Sequence, residues 1–420
     1  MKRSAALSLL VLLGGAIAPN APPADAADIS LESRTYVPAS GIDGGNDHVL
    51  FYEYLALDVD NLGPPGLYVR AGGWGRADLA DETYDQKTNG DLQYGFIGWR
   101  GQSNNAEGRL GRISYTGGAA RNEVFDGVLF GTDLAAGFDL TLYGGVPEET
   151  DNEEGRSGDS LYGARISQGG GAYRIGLSYL KEEDDSETAR EEAGADLFLA
   201  PLQLIELAGS TLYDLDGDGV ARHDYRLALG PFARRVLLTA TWAWTDYAHY
   251  FQGTTNEAFD EVDPEEQLNR VGGQIRVDLD HGLSLTGEYV NYAYDIADSS
   301  QSYGGSLDWA GGGRSAGLGY RQVHGDADED RYQEFRLYAT SPVGPVAVAA
   351  GVEHLAYDED INGESSATTG TLSLGYAVSK ALEVSASAEY GVTPDFEDEV
   401  NFMLAVLWRY DASTKKGGTP

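Results

Sequence analysis

The sequence predicts an all-β protein, a transmembrane antiparallel up-and-down β-barrel of about 22 strands (roughly 18 to 24), with no plug domain. Three observations predict it. The chain opens with a secretory leader. Behind it, segments of about ten residues alternate apolar and polar side chains. The connections between those segments alternate between short and long.

The leader is residues 1–26. Lys2 and Arg3 precede an apolar run from Ala5 to Ala18, and Ala24-Asp25-Ala26 forms an A-x-A cleavage site. An N-terminal membrane helix is the competing reading. The run is short for a span, and Pro19, Pro22 and Pro23 end it. The chain has no Cys, which excludes a lipid-anchored Cys, a disulfide framework, a thiolate metal site and covalent c-type haem on this chain. After residue 27 no apolar run approaches 18 residues. A secreted chain of this kind enters a membrane only as a closed barrel, because hydrocarbon leaves no partner for an open sheet edge.

The short connections fall at 62–66, 104–107, 135–137, 169–171, 200–202, 230–233, 280–282, 311–313, 341–345 and 379–381. Long, acidic ones fall between them at 38–47, 80–91, 116–124, 145–160, 181–193, 213–222, 247–266, 292–301, 324–331, 357–367 and 391–398. Gly, Pro, Asp and Asn punctuate both sets, as turn chemistry requires. Strict alternation puts all short turns on one side of a membrane and all long loops on the other. The barrel domain then spans 27–410, from a first strand at Ile29–Val37 to a last at Val400–Tyr410. A polar tail follows at 411–420.

Within the segments, one face is apolar. Val236, Leu238, Ala240, Trp242 and Trp244 oppose Thr239, Thr241, Ala243 and Thr245. Val271, Ile275, Val277 and Leu279 oppose Arg270, Gln274, Arg276 and Asp278. In the last strand Val400, Phe402, Leu404, Val406, Trp408 and Tyr410 share a face that ends in an aromatic pair. Apolar-out and polar-in is the pattern of a membrane barrel. A soluble barrel would invert it, and 22 strands enclose too wide a space for such side chains to fill. Phe402–Tyr410 would also serve as the C-terminal signal read by the barrel-assembly machinery, although such signals usually end the chain and here a tail continues. Outer-membrane lipid and that machinery are the expected partners.

The formal charge is −38, which argues against nucleic acid as a partner, since that calls for a basic footprint. Most of the excess lies in three connections. Glu148, Glu149, Asp151, Glu153, Glu154 and Asp159 share one. Glu182, Glu183, Asp184, Asp185, Glu187, Glu191 and Glu192 share the second, and Asp326, Asp328, Glu329 and Asp330 the third. They read either as solvated loop charge or as an acidic mouth that concentrates cations. On the polar phase of the strands stand Arg165, Arg174, Arg226, Arg270, Arg276, Arg321, Arg336 and Arg409, with Glu288, Asp308, Glu334 and Glu389. These are candidate pore-lining residues. Facing bands of opposite charge would set a field across a pore; pairing across strands would simply hold a hydrated wall.

No cofactor is expected. One connection reads Asp214-x-Asp216-x-Asp218-Gly219, carboxylates at positions one, three and five as in a calcium loop. Tyr225 stands where the bidentate Glu of an EF-hand belongs, so an Asp/Gly turn competes with calcium. The six His residues form no metal motif, and there is no nucleophile elbow or phosphate loop, so no enzyme is expected.

Phe51-Tyr52-Glu53-Tyr54-Leu55, Gly72-Gly73-Trp74-Gly75-Arg76-Ala77-Asp78-Leu79, Asn89-Gly90-Asp91-Leu92-Gln93-Tyr94-Gly95-Phe96 and Phe125-Asp126-Gly127 resemble stretches of outer-membrane barrel proteins of metal- and sulfur-reducing bacteria. A weaker likeness runs along most of the mature chain. Some members are similar to the barrel subunits of porin–cytochrome conduits, which hold a multihaem cytochrome and pass electrons across the outer membrane. The resemblance brings no haem or catalytic residue. Two functional expectations follow. One is a porin-like channel of the bacterial outer membrane, passing small hydrophilic solutes and favouring cations at an acidic external mouth. The other is a scaffold sheathing a periplasmic multihaem cytochrome.

Overall fold

In the computed structural model, residues 27–42, 48–80, 87–148, 158–251, 263–326, 330–394 and 399–412 are described. The proposed leader and most of the tail lie outside these residues. The strands are β1 (Asp28–Ile42), β2 (His48–Asp60), β3 (Leu67–Asp78), β4 (Thr88–Arg100), β5 (Ala106–Gly117), β6 (Ala120–Asp133), β7 (Phe138–Pro147), β8 (Ser160–Gly170), β9 (Tyr173–Asp184), β10 (Glu187–Leu202) and β11 (Ile205–Asp214). They continue as β12 (Gly219–Phe232), β13 (Val236–Asp246), β14 (Gln267–Asp278), β15 (Leu283–Tyr294), β16 (Ser300–Gly311), β17 (Arg314–Gly325), β18 (Tyr332–Val343), β19 (Val346–Ile361), β20 (Glu364–Ala377), β21 (Leu382–Val392) and β22 (Glu399–Ala412). A four-residue helix, α1 (Tyr247–Tyr250), follows β13.

Every strand pairs antiparallel with the next. The ring closes where β22 meets β1, in register from Ile29 opposite Ala412 to Ile42 opposite Glu399. Closure leaves the ring without a terminal edge strand, which is what hydrocarbon demands of a sheet.

Register shows which face meets lipid. Leu285, Leu307, Leu318, Leu337 and Val352 stand opposite one another in turn across β15–β19. All are exposed, Leu337 by 60%. Such a continuous exposed apolar row fits a hydrocarbon neighbour and would be a liability in water. Aromatic side chains mark both ends of the outer face. Trp242, Tyr289, Tyr303, Tyr320 and Phe335 lie toward the long connections, and Phe138, Tyr173, Phe232, Trp309, Tyr376 and Trp408 toward the short turns. On the first girdle Tyr303 Oη donates to Gln322 at 2.8 Å and Trp242 Nε1 to Asn269 at 3.1 Å. Amphipathic rings so placed match the water–lipid boundary. The final strand follows the expected phase, with Phe402, Leu404, Trp408 and Tyr410 exposed on the outer face.

Several connections expected to be long are hairpins. The expected loop 116–124 shrinks to a turn at 118–119, the loop 181–193 to 185–186, and the loop 357–367 to 362–363. Asp185 and Ser186 have φ of 47° and 71°, and Asn362 and Gly363 of 53° and 92°, the signs a tight I′ turn requires. The strands run on past the membrane with water on both faces. Alternation therefore disappears from the sequence while the hydrogen-bond ladder continues.

Candidate functional site: a hairpin folded into the lumen

The hairpin of β5 and β6 leaves the wall. Pairing of β4 with β5 ends at Gly95–Arg112, and pairing of β6 with β7 ends at Phe125–Pro147. Beyond those rungs β5 and β6 still pair with each other, to Gly117–Ala120. The departure begins at a row of small residues. Gly111, Gly127 and Gly145 face one another across β5, β6 and β7. Gly111 has φ +133°, and a Cβ there would lie 2.3 Å from the carbonyl oxygen of Gly95. Only glycine admits that bend and that approach.

The free end of the hairpin lies on the inner wall. Tyr115 meets Tyr143 of β7 with ring centroids 4.7 Å apart. At the tip, the N–H of Ala119 donates to Ser178 Oγ of β9 at 2.8 Å. A Cβ on Gly194 of β10 would come within 3.0 Å of the same Ala119 nitrogen. Ile113 and Phe125 are fully buried, with Leu161 of β8 and Leu180 of β9 in the same cluster. Leu212 and Ala221 extend it to β11 and β12. Ion pairs then fasten the outer end. Arg190 reaches Glu123 at 2.7 Å and Glu182 at 3.0 Å, and Arg121 pairs with the buried Glu192. Arg121 Nη1 also donates to the Tyr250 carbonyl of α1 at 2.5 Å, and its guanidinium sits 3.9 Å from that ring's centroid. Arg222 donates to Tyr250 Oη at 3.1 Å.

Magnitude decides what holds the hairpin. Burying four large apolar side chains is worth about 1.5–3 kcal/mol each. The Arg121–Glu192 and Arg190–Glu123 pairs are largely buried, so desolvation of both partners offsets most of their attraction. Apolar contact therefore seats the hairpin, and the ion pairs fix its position. The chain has no native Cys, so a pair introduced by Ala119→Cys and Gly194→Cys reports this contact when Ser178→Ala removes the Oγ that a Cβ on Gly194 would meet at 2.5 Å. Mild oxidation should cross-link it, shifting mobility on a non-reducing gel; a pair that stays reduced would refute the docked tip.

The expected wall residues stand on inward phases, and most are paired. Arg165 meets Asp196 at 2.7 Å, Arg226 meets Glu206 at 3.4 Å and Arg276 meets Asp278 at 2.9 Å. Glu288, Arg321, Glu334, Arg336 and Glu353 form one ladder of alternating sign from β15 to β19. Arg321 lies 3.4 Å from Glu288 and 3.3 Å from Glu334, and Arg336 2.5 Å from Glu334 and 2.7 Å from Glu353. Arg409 of β22 reaches Glu32 of β1 at 2.9 Å, so one of these pairs spans the closing seam. Arg174 and Arg270 have no ion pair among the described residues. The charges thus alternate between neighbours on the ladder and do not form two facing bands there.

The sequence Asp214, Asp216, Asp218 does not gather as a ligand set. Asp214 Oδ2 lies 2.8 Å from His249 Nδ1 of α1, and its Oδ1 accepts the N–H groups of Asp216 and Gly217, each at 3.0 Å. Tyr213 Oη donates to Asp218 at 2.6 Å. Asp214 closes the turn and holds α1 in place, and Asp218 is taken up by Tyr213, the Asp/Gly alternative. Sequence reading missed the hairpin, though a signal was present. Ile113, Leu161 and Leu180 are apolar on the phase that should be polar, next to the glycine row.

The architecture is that of a membrane β-barrel with a polar inner wall and an inward element. Neither a protein family nor a curated protein matches the chain by sequence. Among solved structures, the translocation pore of the P pilus usher PapC aligns over 92% of this chain and 100% of that one, at 11% identity and a TM-score of 0.54. OccD1 (OprD) aligns over 92% and 98%, at 12% identity and 0.45. OccK8 (OprE) of Pseudomonas aeruginosa aligns over 92% and 98%, at 11% identity and 0.42. At such identity the likeness extends to the fold.

Proposed function

We propose that the protein is a porin-like channel of the bacterial outer membrane, passing small hydrophilic solutes through a lumen narrowed by the β5–β6 hairpin. The observation that carries this reading is the hairpin itself. A barrel of 22 strands is too wide to be selective without an obstruction, and here the chain supplies one from its own wall. The remainder of the lumen is lined by paired charges that keep it wet. The acidic connections favour cation entry by raising local cation concentration. Part of that mouth (149–157 and 327–329) lies outside the described residues. The likeness of the fold to the translocation pore of the P pilus usher PapC supports a membrane barrel. A barrel sheathing a multihaem cytochrome fits less well, since a lumenal partner would compete with the hairpin for space.

Planar-bilayer recording of the purified barrel tests the reading. Discrete conductance steps are expected, with a reversal potential under a salt gradient that favours cations and weakens as salt rises. A folded barrel without conductance overturns the channel, and anion preference at low salt overturns the acidic mouth. Haem copurifying from native membrane would instead support the sheath.

A further inference from the structure

We propose that the extracellular rim carries a calcium site formed by Asp159, Asp184 and Asp185, which ties the β7–β8 connection to the tip of the β9–β10 hairpin. One carboxylate oxygen from each of the three lies within 4.8 Å of the others. Oxygens bound to one calcium at 2.3–2.6 Å are at most about 5 Å apart, so the spacing suits a shared ion. A second observation concerns Asp159 alone. It is only 7% exposed, and its Oδ2 is buried without a hydrogen-bond partner among the described residues. Its Oδ1 is engaged, accepting the N–H of Asp185 at 3.2 Å. A buried carboxylate oxygen with no donor is costly unless a cation meets it.

The described bases nearby are committed elsewhere. Lys181 pairs with Glu183 at 3.0 Å, and Arg190 with Glu123 and Glu182. No described basic side chain pairs with any of the three aspartates. With oxygens within 4.8 Å of one another, the three carboxylates repel when charged. The three groups are nevertheless held together by backbone. Gly158 takes φ +105°, and a Cβ there would lie 3.0 Å from Ser186 Oγ, so the connection tucks under the hairpin tip. Ser160 Oγ donates to Glu183 at 2.8 Å immediately beside it. Hard carboxylate oxygens in an irregular loop setting select calcium over magnesium, which demands a tighter octahedron. The ion would fasten the rim just outside the ion pairs that hold the lumenal hairpin.

Isothermal calorimetry of the full barrel in detergent, titrated with calcium chloride in about 150 mM salt to screen diffuse binding, tests the site. One saturable event is expected with a dissociation constant of about 0.1–1 mM, the range of extracellular calcium modules. Asp184→Asn, at an exposed position that leaves the fold intact, should weaken it at least tenfold. Asp159→Asn should abolish it, with heat-modifiable gel migration confirming a folded barrel. An isotherm unchanged by Asp184→Asn, or no saturable binding to 10 mM, overturns the site. Equal binding of magnesium overturns the calcium assignment.

Discussion

Excising residues 114–124 and joining the paired residues Ile113 and Phe125 through an Asn-Gly turn should raise single-channel conductance, roughly twofold or more. The segment removed is the part of β5 and β6 that has left the wall, so every rung to β4 and β7 stays intact. What changes is the lumen. Tyr115, Ala119 and Ala120 no longer cover the inner face of β7–β10, and the cross-section they fill opens to water. The excision also exposes Leu161 and Leu180, whose burial is worth about 1.5–3 kcal/mol each. Some loss of stability is therefore expected, and heat-modifiable migration must show that the barrel has formed. Selectivity should move with conductance, because Arg121 and its partner Glu192 lose their contact. A folded variant with unchanged conductance would mean that solute passes elsewhere, or that the hairpin does not obstruct. The Ala119→Cys, Gly194→Cys pair offers the converse experiment, since locking the tip should leave the small conductance in place and suppress its fluctuations.

The strand count and the lipid face were legible because the membrane imposes a period of two wherever a strand crosses it. Ile275 and Leu404 stand on the phase that alternation assigns them, and β22 meets β1. Strand ends were less legible, and the reason is physical. Above the lipid both faces of a strand meet water, so Glu182 to Glu192 reads as an acidic loop although Glu182 pairs across the ladder with Arg190. The lumenal hairpin was hidden for a related reason. Its contacts bring together residues far apart in the chain, Ile113 and Leu180 in one buried cluster and Ala119 beside Gly194, and no local pattern encodes such a meeting. The wall charges were legible as positions and not as pairs. Arg321 and Glu334 are assigned to the inner face by phase alone, but only the register sets them opposite each other. Asp214, Asp216 and Asp218 show the reverse case, a suggestive spacing in which Asp214 is taken up by backbone N–H groups and His249, and Asp218 by Tyr213.

Glu266→Ala should free the β15–β16 connection from the barrel mouth, raising amide hydrogen exchange at Asp295, Ile296 and Ala297 by about 100-fold. Glu266 stands just before β14 and is 2% exposed. Its Oε1 accepts the N–H groups of Gln267, Asp295 and Ile296 at 2.9, 2.8 and 3.1 Å, and its Oε2 that of Ala297 at 2.7 Å. One carboxylate thus anchors two neighbouring connections. Burial pushes this carboxyl up, but the four backbone donors outweigh it and hold the group below the usual glutamate range. Bonds to a charged acceptor contribute about 1.5–3 kcal/mol each and are not additive. A net loss of about 3 kcal/mol is therefore expected on truncation, which corresponds to the 100-fold change in exchange. The sign of the pH dependence follows from the lowered value. The stabilisation is fully present above the ordinary glutamate range and is lost as pH falls through the lower folded value, so the connection should loosen only in acid. Glu266→Gln keeps an acceptor and removes the titration. Its exchange should rise less than that of Glu266→Ala and should lose the acid-dependent component seen in the native chain. If Glu266→Ala leaves the three amides protected, the connection is held by something other than this carboxylate.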